Sequence, residues 1–438
     1  MFICRRPLLP LLIAALVLAA MAMPARAQLV GGMRAGSLPV TVPGQPRLPR
    51  AVPRLRRDLP DVVPEAVSRL GNPRLEQLLR RHPKLLDVDP AGALVVRSEV
   101  VAIDPGDEAL QRARAAGFSV GDERTLQALG LRIVVLRSPQ GTGTRAALQQ
   151  LRRLDPAGSY DFNHLYAGAA GAIAAGPTRA PVSGPAAPAV RIGLIDSGVA
   201  RGHPALAGVD VHSWGCDGAP VADAHGTAVA SLLMGAADGG AASGGTLFAA
   251  DIYCGRPTGG AVTGYAEAMA WLAQEGVGVI NLSLVGPHNA LLRRATEALA
   301  ARGHVLVAAV GNDGPAAPPL FPAAYPEVIG VTAVDRRQRA LPEAGRGVQV
   351  DFAALGSELR AARPDGRWGT VRGTSFAAPL VARAAAAEYL AAPDPARAAQ
   401  LRAQLAERAR DLGTAGRDDT YGHGLVAPAH PAAAAGSR

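Results

Sequence analysis

Four polar residues stand where acyl-transfer chemistry could be assembled. Amide hydrolysis needs a nucleophile, a base to take its proton, a group to hold that base and donors for the oxyanion. Asp196 follows the apolar run 191–195 in Ile-Asp-Ser-Gly. A carboxylate after a buried strand, next to a glycine-permitted turn, can accept a bond from an imidazole. His225 opens His-Gly-Thr-Ala-Val-Ala-Ser-Leu-Leu, whose apolar residues recur at helical spacing, so it falls in the first turn of a buried helix. Ser375 stands in Gly-Thr-Ser-Phe-Ala-Ala-Pro, where the following helix aims free N–H groups and a positive end at the hydroxyl. One such N–H can serve an oxyanion. Asn312, in Val-Gly-Asn-Asp-Gly after the run 305–310, can supply a second donor through its amide. Taken singly, each has a plainer reading: a turn Asp, one of nine His, a turn Asn, an N-cap Ser.

Together the four motifs resemble those of the subtilisin-like serine proteases. The order Asp, His, Asn, Ser matches, and so do Asp-Ser-Gly, His-Gly-Thr, Gly-Asn and Gly-Thr-Ser-x-Ala-x-Pro. The resemblance runs from about Val190 to Pro431 and includes Tyr-Gly-His-Gly-Leu-Val at 421–426. It implies a serine endopeptidase with Asp196, His225 and Ser375 as the triad. Asn312 and the Ser375 N–H would form the oxyanion hole. It also implies that Gly259, Gly260 and Ala261 on one side, and Ser283, Leu284, Val285 and Gly286 on the other, flank an extended substrate. Ala309, Val310 and Gly311 would line the pocket for the residue before the scissile bond.

Some positions depart from the family pattern. Val285 stands where Gly is usual, and Leu320 where a small residue often closes that pocket. A shallow apolar pocket for small or medium side chains is expected. Ala228 replaces a second His common after His-Gly-Thr, with no consequence for the triad. The loop Met234 to Thr246 lacks the Asn-containing calcium loop of many relatives, so no metal site is predicted there; calcium elsewhere is left open. No cofactor is required. The alternative from another class is a catalytically silent, peptide-binding scaffold, which would typically lack a triad member. A lipase-type hydrolase wants Gly-x-Ser-x-Gly, with Ser ahead of Asp and His; here Ser comes last.

The elements that must position these residues follow from periodicity. Continuous apolar runs at 191–195, 246–253, 277–284, 305–310 and 328–334 read as strands buried on both faces, with helical stretches between. The fold class expected is α/β: a subtilisin-like three-layer sandwich with a mostly parallel central sheet over 190–431. Residues 97–167 read β-α-β-β-α-β, a small α+β ferredoxin-like unit. Its strands lie at 100–103, 118–120, 131–136 and 160–166, its helices at 107–116 and 144–154. By position and size it resembles the family's inhibitory propeptide, the chain's own intramolecular partner. Its last segment would lie in the substrate groove and be cut nearby. Residues 28–96 are rich in Pro and Arg and read as mostly irregular, with a short helix at 75–86; 168–189 is an Ala/Gly/Pro linker and 432–438 a tail.

Residues 1–27 read as an export signal: Arg5 and Arg6, an apolar stretch 8–23, and Ala-Arg-Ala at 25–27. The product would reach the periplasm or the medium. Cys4 leaves with the signal, and Cys216 and Cys254 remain as an even pair in an oxidising compartment, where a disulfide is expected. Without a nearby His partner they make a poor zinc site. The net charge of +9 does not point to nucleic acid, because residues 190–431 hold 20 Arg against 22 Asp and Glu and the excess lies among the prolines upstream. No segment after the signal is apolar enough to span a bilayer. The expected partners are therefore protein or peptide substrates, met by a monomer.

Overall fold

The computed structural model describes residues 73–168, 173–175 (main chain only), 189–235, 244–389 and 392–426. The expected export signal, residues 28–72, most of the linker and the tail lie outside the described residues. So does 236–243, the body of the loop compared with the calcium loop. Among the described residues, no helix is long and apolar enough to cross a membrane.

A helix Pro73–Arg81 leads into β1 (Leu86–Val88) and β2 (Leu94–Ile103). After the helix Asp107–Ala115 come β3 (Ser119–Leu126) and β4 (Leu131–Arg137); the helix Thr144–Leu154 then leads to β5 (Ser159–His164). β2 pairs antiparallel with β1, β4 and β5, and β3 with β4. This is the ferredoxin-like order, with the first strand lying between the third and the last. The ordered unit reaches further upstream than composition suggests. Leu79, Leu86, Val88, Leu94 and Val96 form a small core with Leu165, so the segment 73–96 is folded rather than irregular. Pro and Arg hid it because only a few scattered leucines and valines carry the packing. The helix also ends earlier than expected: Leu86 opens a strand instead of closing a helix.

The run Val100–Ile103 is buried throughout because both sheet faces are covered. Val100 and Ala102 pack on the unit's own helices with Leu110 and Leu148. Val101 and Ile103 pack with Tyr265, Met269 and Leu299, which lie on two helices of the larger region. Alternate residues of a strand point to opposite faces, so an unbroken apolar run signals two partners.

Two short strands, β6 (Ala167–Gly168) and β7 (Ile173–Ala175), precede the larger region. Its parallel sheet holds β8 (Val190–Asp196), β9 (Asp210–Trp214), β10 (Gly245–Asp251), β11 (Val279–Leu282), β13 (Val305–Ala309), β14 (Val328–Val334) and β15 (Phe352–Leu355). β12 (Leu284–Val285) leaves this sheet to pair with β6. The order is β15-β14-β13-β11-β8-β10-β9, every pair parallel. Helices Ala224–Met234 and Thr374–Glu388 bury one face with Ile192, Leu194, Val307 and Phe352. Helices Val262–Gln274 and Ala290–Ala301 bury the other with Ile195, Ile280 and Leu306. A hairpin, β16 (Leu359–Ala362) and β17 (Trp368–Val371), adds β7 at its edge.

His304 sits just before β13, 5% exposed, with Nδ1–H donating to the Val277 carbonyl at 2.7 Å. Burial pushes its pKa below the usual value near 6.5; the Val277 bond opposes this, and Arg302 adds to the depression. The unfolded chain takes a proton on this residue as pH falls below about 6.5, while the folded chain resists it. Stability from this group is therefore present above that pH and lost below it. The thermal midpoint should fall more between pH 7.5 and 5.5 for the wild type than for His304→Gln. Equal falls would acquit His304.

Candidate active site

Parallel strands bring their carboxyl ends to one edge of the sheet, and the four polar residues gather there. Asp196 is the last residue of β8 and is fully buried. Its Oδ1 lies 2.7 Å from His225 Nδ1 and accepts the Ser197 N–H at 2.7 Å. A carboxylate taken out of water is tolerable only with such partners.

His225 is the second residue of the helix Ala224–Met234, and three stitches fix that helix to the loop after β8. Asp223, its N-cap, accepts the His225 N–H at 3.0 Å and the Ser197 hydroxyl at 3.1 Å. The Ser197 hydroxyl accepts the Gly226 N–H at 2.9 Å. Thr227 Oγ1 accepts the Ala200 N–H at 3.0 Å. Gly226 is obligatory, since a Cβ there would fall 2.0 Å from the Ser197 carbonyl oxygen. The motifs Asp-Ser-Gly and His-Gly-Thr are thus two halves of one joint, which explains why Ser197 and Thr227 accompany the two titratable groups.

Ser375 lies in the first turn of the helix Thr374–Glu388, which is buried from Thr374 to Ala386. A helix apolar on all sides belongs in the interior. Its Pro379 has no N–H, so the Ser375 carbonyl four residues earlier loses its helical partner. The Ser283 hydroxyl donates to that carbonyl at 2.9 Å, and Asn281 Nδ2 donates to Ser283 Oγ at 2.8 Å. The Ser375 hydroxyl donates to the Ser283 carbonyl at 3.1 Å. Asn312 Oδ1 accepts the Thr374 N–H at 3.1 Å, and this bond commits the oxygen and turns Nδ2 away from it. Thr374 Oγ1 accepts the Gly311 N–H at 3.2 Å, tying the two loops together. The His225 and Phe376 rings lie 5.5 Å apart.

The two proposed edges hold a strand of the chain itself. Tyr166 N–H donates to the Gly260 carbonyl at 2.8 Å, and Leu165 pairs with Ala261. Across the groove Ala167 pairs with Val285 and Gly168 with Leu284, antiparallel. Gly168 lies against the imidazole: a Cβ there would fall 2.8 Å from His225 Nε2. Gly286 pairs with Phe321 beside the same groove. Gly259 folds back on Tyr253: a Cβ there would meet the Tyr253 carbonyl oxygen at 2.4 Å. Ala309, Val310 and Gly311 are buried at the end of β13. Leu320 closes on Gly311, its Cδ1 2.5 Å from where a Cβ would stand.

Three features escaped the sequence. Tyr253 and Tyr265 reach the groove. Burial lifts both phenols well above their ordinary range, and the nearby Asp196 charge adds to it, so both stay protonated. Asn289 anchors the N-terminal unit, donating through Nδ2 to the Phe162 carbonyl and to His164 Nδ1 at 3.0 and 2.9 Å. Asp161 accepts the Ala290 N–H at 2.8 Å, a carboxylate on a helix N-terminus. An isolated Asn or Tyr carries no local signal of such contacts; only the polar break before the helical run 290–301 hinted at the cap. Cys216 and Cys254 are bridged, with Cα atoms 5.2 Å apart, joining the loop after β9 to the loop after β10. Among the described residues, the one cluster with metal-ligand chemistry is Cys216, Asp251 and Cys254, whose sulfurs are spent on that bridge.

Comparison with known proteins follows the same line. The model of the peptidase S8 subtilase family matches residues 187–424. Subtilisin DY of Bacillus licheniformis is 32% identical over 252 residues, covering 54% of this chain and 88% of the relative. Thermitase of Thermoactinomyces vulgaris is 33% identical over 201 residues, 44% of this chain and 72% of its own. The structure of fervidolysin from Fervidobacterium pennivorans, a keratinolytic enzyme related to subtilisin, superposes with a TM-score of 0.62. The match covers 76% of this chain and 60% of that one at 19% identity, a likeness of fold alone. By the span of the family match and its kinship with subtilisin DY, the chain belongs to the subtilase family of serine endopeptidases.

Proposed function

We propose that the chain is an exported endopeptidase made as a zymogen, with Asp196, His225 and Ser375 as its triad. The observation that carries the reading is the strand 165–168, held between both groove edges with Gly168 against His225. A polypeptide bound this way is a substrate mimic.

In the mechanism, Ser375 Oγ attacks the scissile carbonyl carbon while His225 Nε2 takes its proton. Asp196 holds the ring by Nδ1 and stabilises the imidazolium. The oxyanion meets Asn312 Nδ2 and the Ser375 N–H, both fixed before reaction by the Thr374 and Ser283 bonds. Collapse breaks the C–N bond, and His225 passes its proton to the leaving amine. Water then enters, loses a proton to His225 and releases the acyl group from Ser375. Every proton taken is returned within one turnover.

The full set of groups favours an enzyme over a silent scaffold. A fluorophosphonate should label the wild type and not Ser375→Ala, which should also leave casein intact. Asn312→Ala should lower casein turnover by ~10²–10³, the loss seen when one oxyanion donor is removed in enzymes of this kind. Labelling that persists in Ser375→Ala would reassign the nucleophile.

We read residues up to 168 as a propeptide cut by the enzyme within 169–172, after export directed by residues 1–27. N-terminal sequencing of the secreted wild type should begin between residues 170 and 173, while Ser375→Ala should stay uncut. An active preparation beginning at Gln28 would overturn this. Leu320 packed on Gly311 supports a shallow pocket before the scissile bond. A peptide library should show small or medium apolar residues there; a profile led by Phe or Arg would refute it.

A further inference from the structure

One phenol is held at every polar atom in the groove. Tyr166 is 1% exposed. Its ring meets Tyr265 edge-on, with centroids 5.4 Å apart at 80°. It lies over Gly286, where a Cβ would come within 2.6 Å of the ring, so this wall must lack a side chain. Its hydroxyl donates to the Pro287 carbonyl at 2.7 Å. The main chain is gripped on both sides. Its N–H donates to Gly260, and its carbonyl accepts the Tyr253 hydroxyl at 2.7 Å. The Tyr253 bond to the Tyr166 carbonyl holds the strand extended toward His225.

The two contacts read different things. Tyr253 bonds main chain, which every substrate offers. Pro287 bonds a side-chain hydroxyl, which only tyrosine offers at that reach. Phenylalanine would fill the same apolar space but cover the Pro287 carbonyl without giving it a donor. A site built to bond a substrate hydroxyl rejects the analogue lacking it far more strongly than a pocket that only packs carbon.

We infer that the groove selects tyrosine over phenylalanine at the substrate position two residues before the one that abuts His225, with the Pro287 carbonyl reading the hydroxyl and Tyr253 clamping the backbone. This rests on the endopeptidase reading of the groove and adds the class of substrate it takes.

The test uses peptides copying residues 160–178 with Tyr, Phe or Leu at the place of Tyr166, offered to enzyme that has completed its own processing. The Tyr peptide should exceed the Phe peptide in kcat/KM about tenfold, the effect of an unmade hydrogen bond. Tyr253→Phe should raise KM about tenfold for all three peptides while leaving kcat and the Tyr-to-Phe ratio in place. Equal cleavage of the Tyr and Phe peptides overturns the selection, and an unchanged KM overturns the clamp. A second arm needs no catalysis. In the uncut full-length Ser375→Ala chain, Tyr166→Phe and Tyr253→Phe should each speed amide exchange at Ala167 and Gly168 about tenfold. Unchanged exchange sinks the inference. A preparation that takes up no fluorophosphonate and cuts no peptide, yet shows the faster exchange, refutes the enzyme and leaves the pocket standing.

Discussion

A fully buried carboxylate anchors this molecule. Asp196 would cost several kcal/mol if it met no donors in the interior, and it meets the His225 imidazole and the Ser197 amide. Those donors come from one loop and one helix start that must stay in register. Ser197, Asp223, Gly226 and Thr227 keep them there. The joint has no slack, because the Gly226 backbone lies too close to Ser197 for any side chain between them.

The rest of the site is arranged by a second device of the same kind. Pro379 releases the Ser375 carbonyl from its helix, and Ser283 takes it up. Ser283 also accepts the Ser375 hydroxyl on its own carbonyl. The groove edge at Ser283 is thus wired to the helix start that carries Ser375. Asn312 is set by Thr374, the neighbour of Ser375, so its amide and the Ser375 N–H hang from one helix start. Polar groups fixed before the reaction need no reorganisation during it.

The N-terminal unit packs on the larger region and sends a strand into its groove. Its sheet lies on the helices Val262–Gln274 and Ala290–Ala301, with Asp161 and His164 met by the polar start of the second. Its last strand then enters the groove, where β6 pairs with β12. One covalent chain holds both the groove and the strand within it, which raises the effective concentration of that strand there.

The sequence by itself determined the element types and the chemistry. Apolar runs such as 305–310 mark doubly covered strands, and four motifs in one order name the groups proposed to act. It also carried the β-α-β-β-α-β reading of residues 97–167, because hydrophobic period is a local property. It missed the fold of 73–96, where five scattered apolar residues meet one another and Leu165 only in three dimensions. Tertiary structure alone decided that Tyr253 reaches the Tyr166 carbonyl 87 residues away, and that Asn289 reaches Phe162 across 127. No local pattern encodes such contacts, since a single Tyr or Asn is satisfied by whatever backbone the packed sheet brings to it.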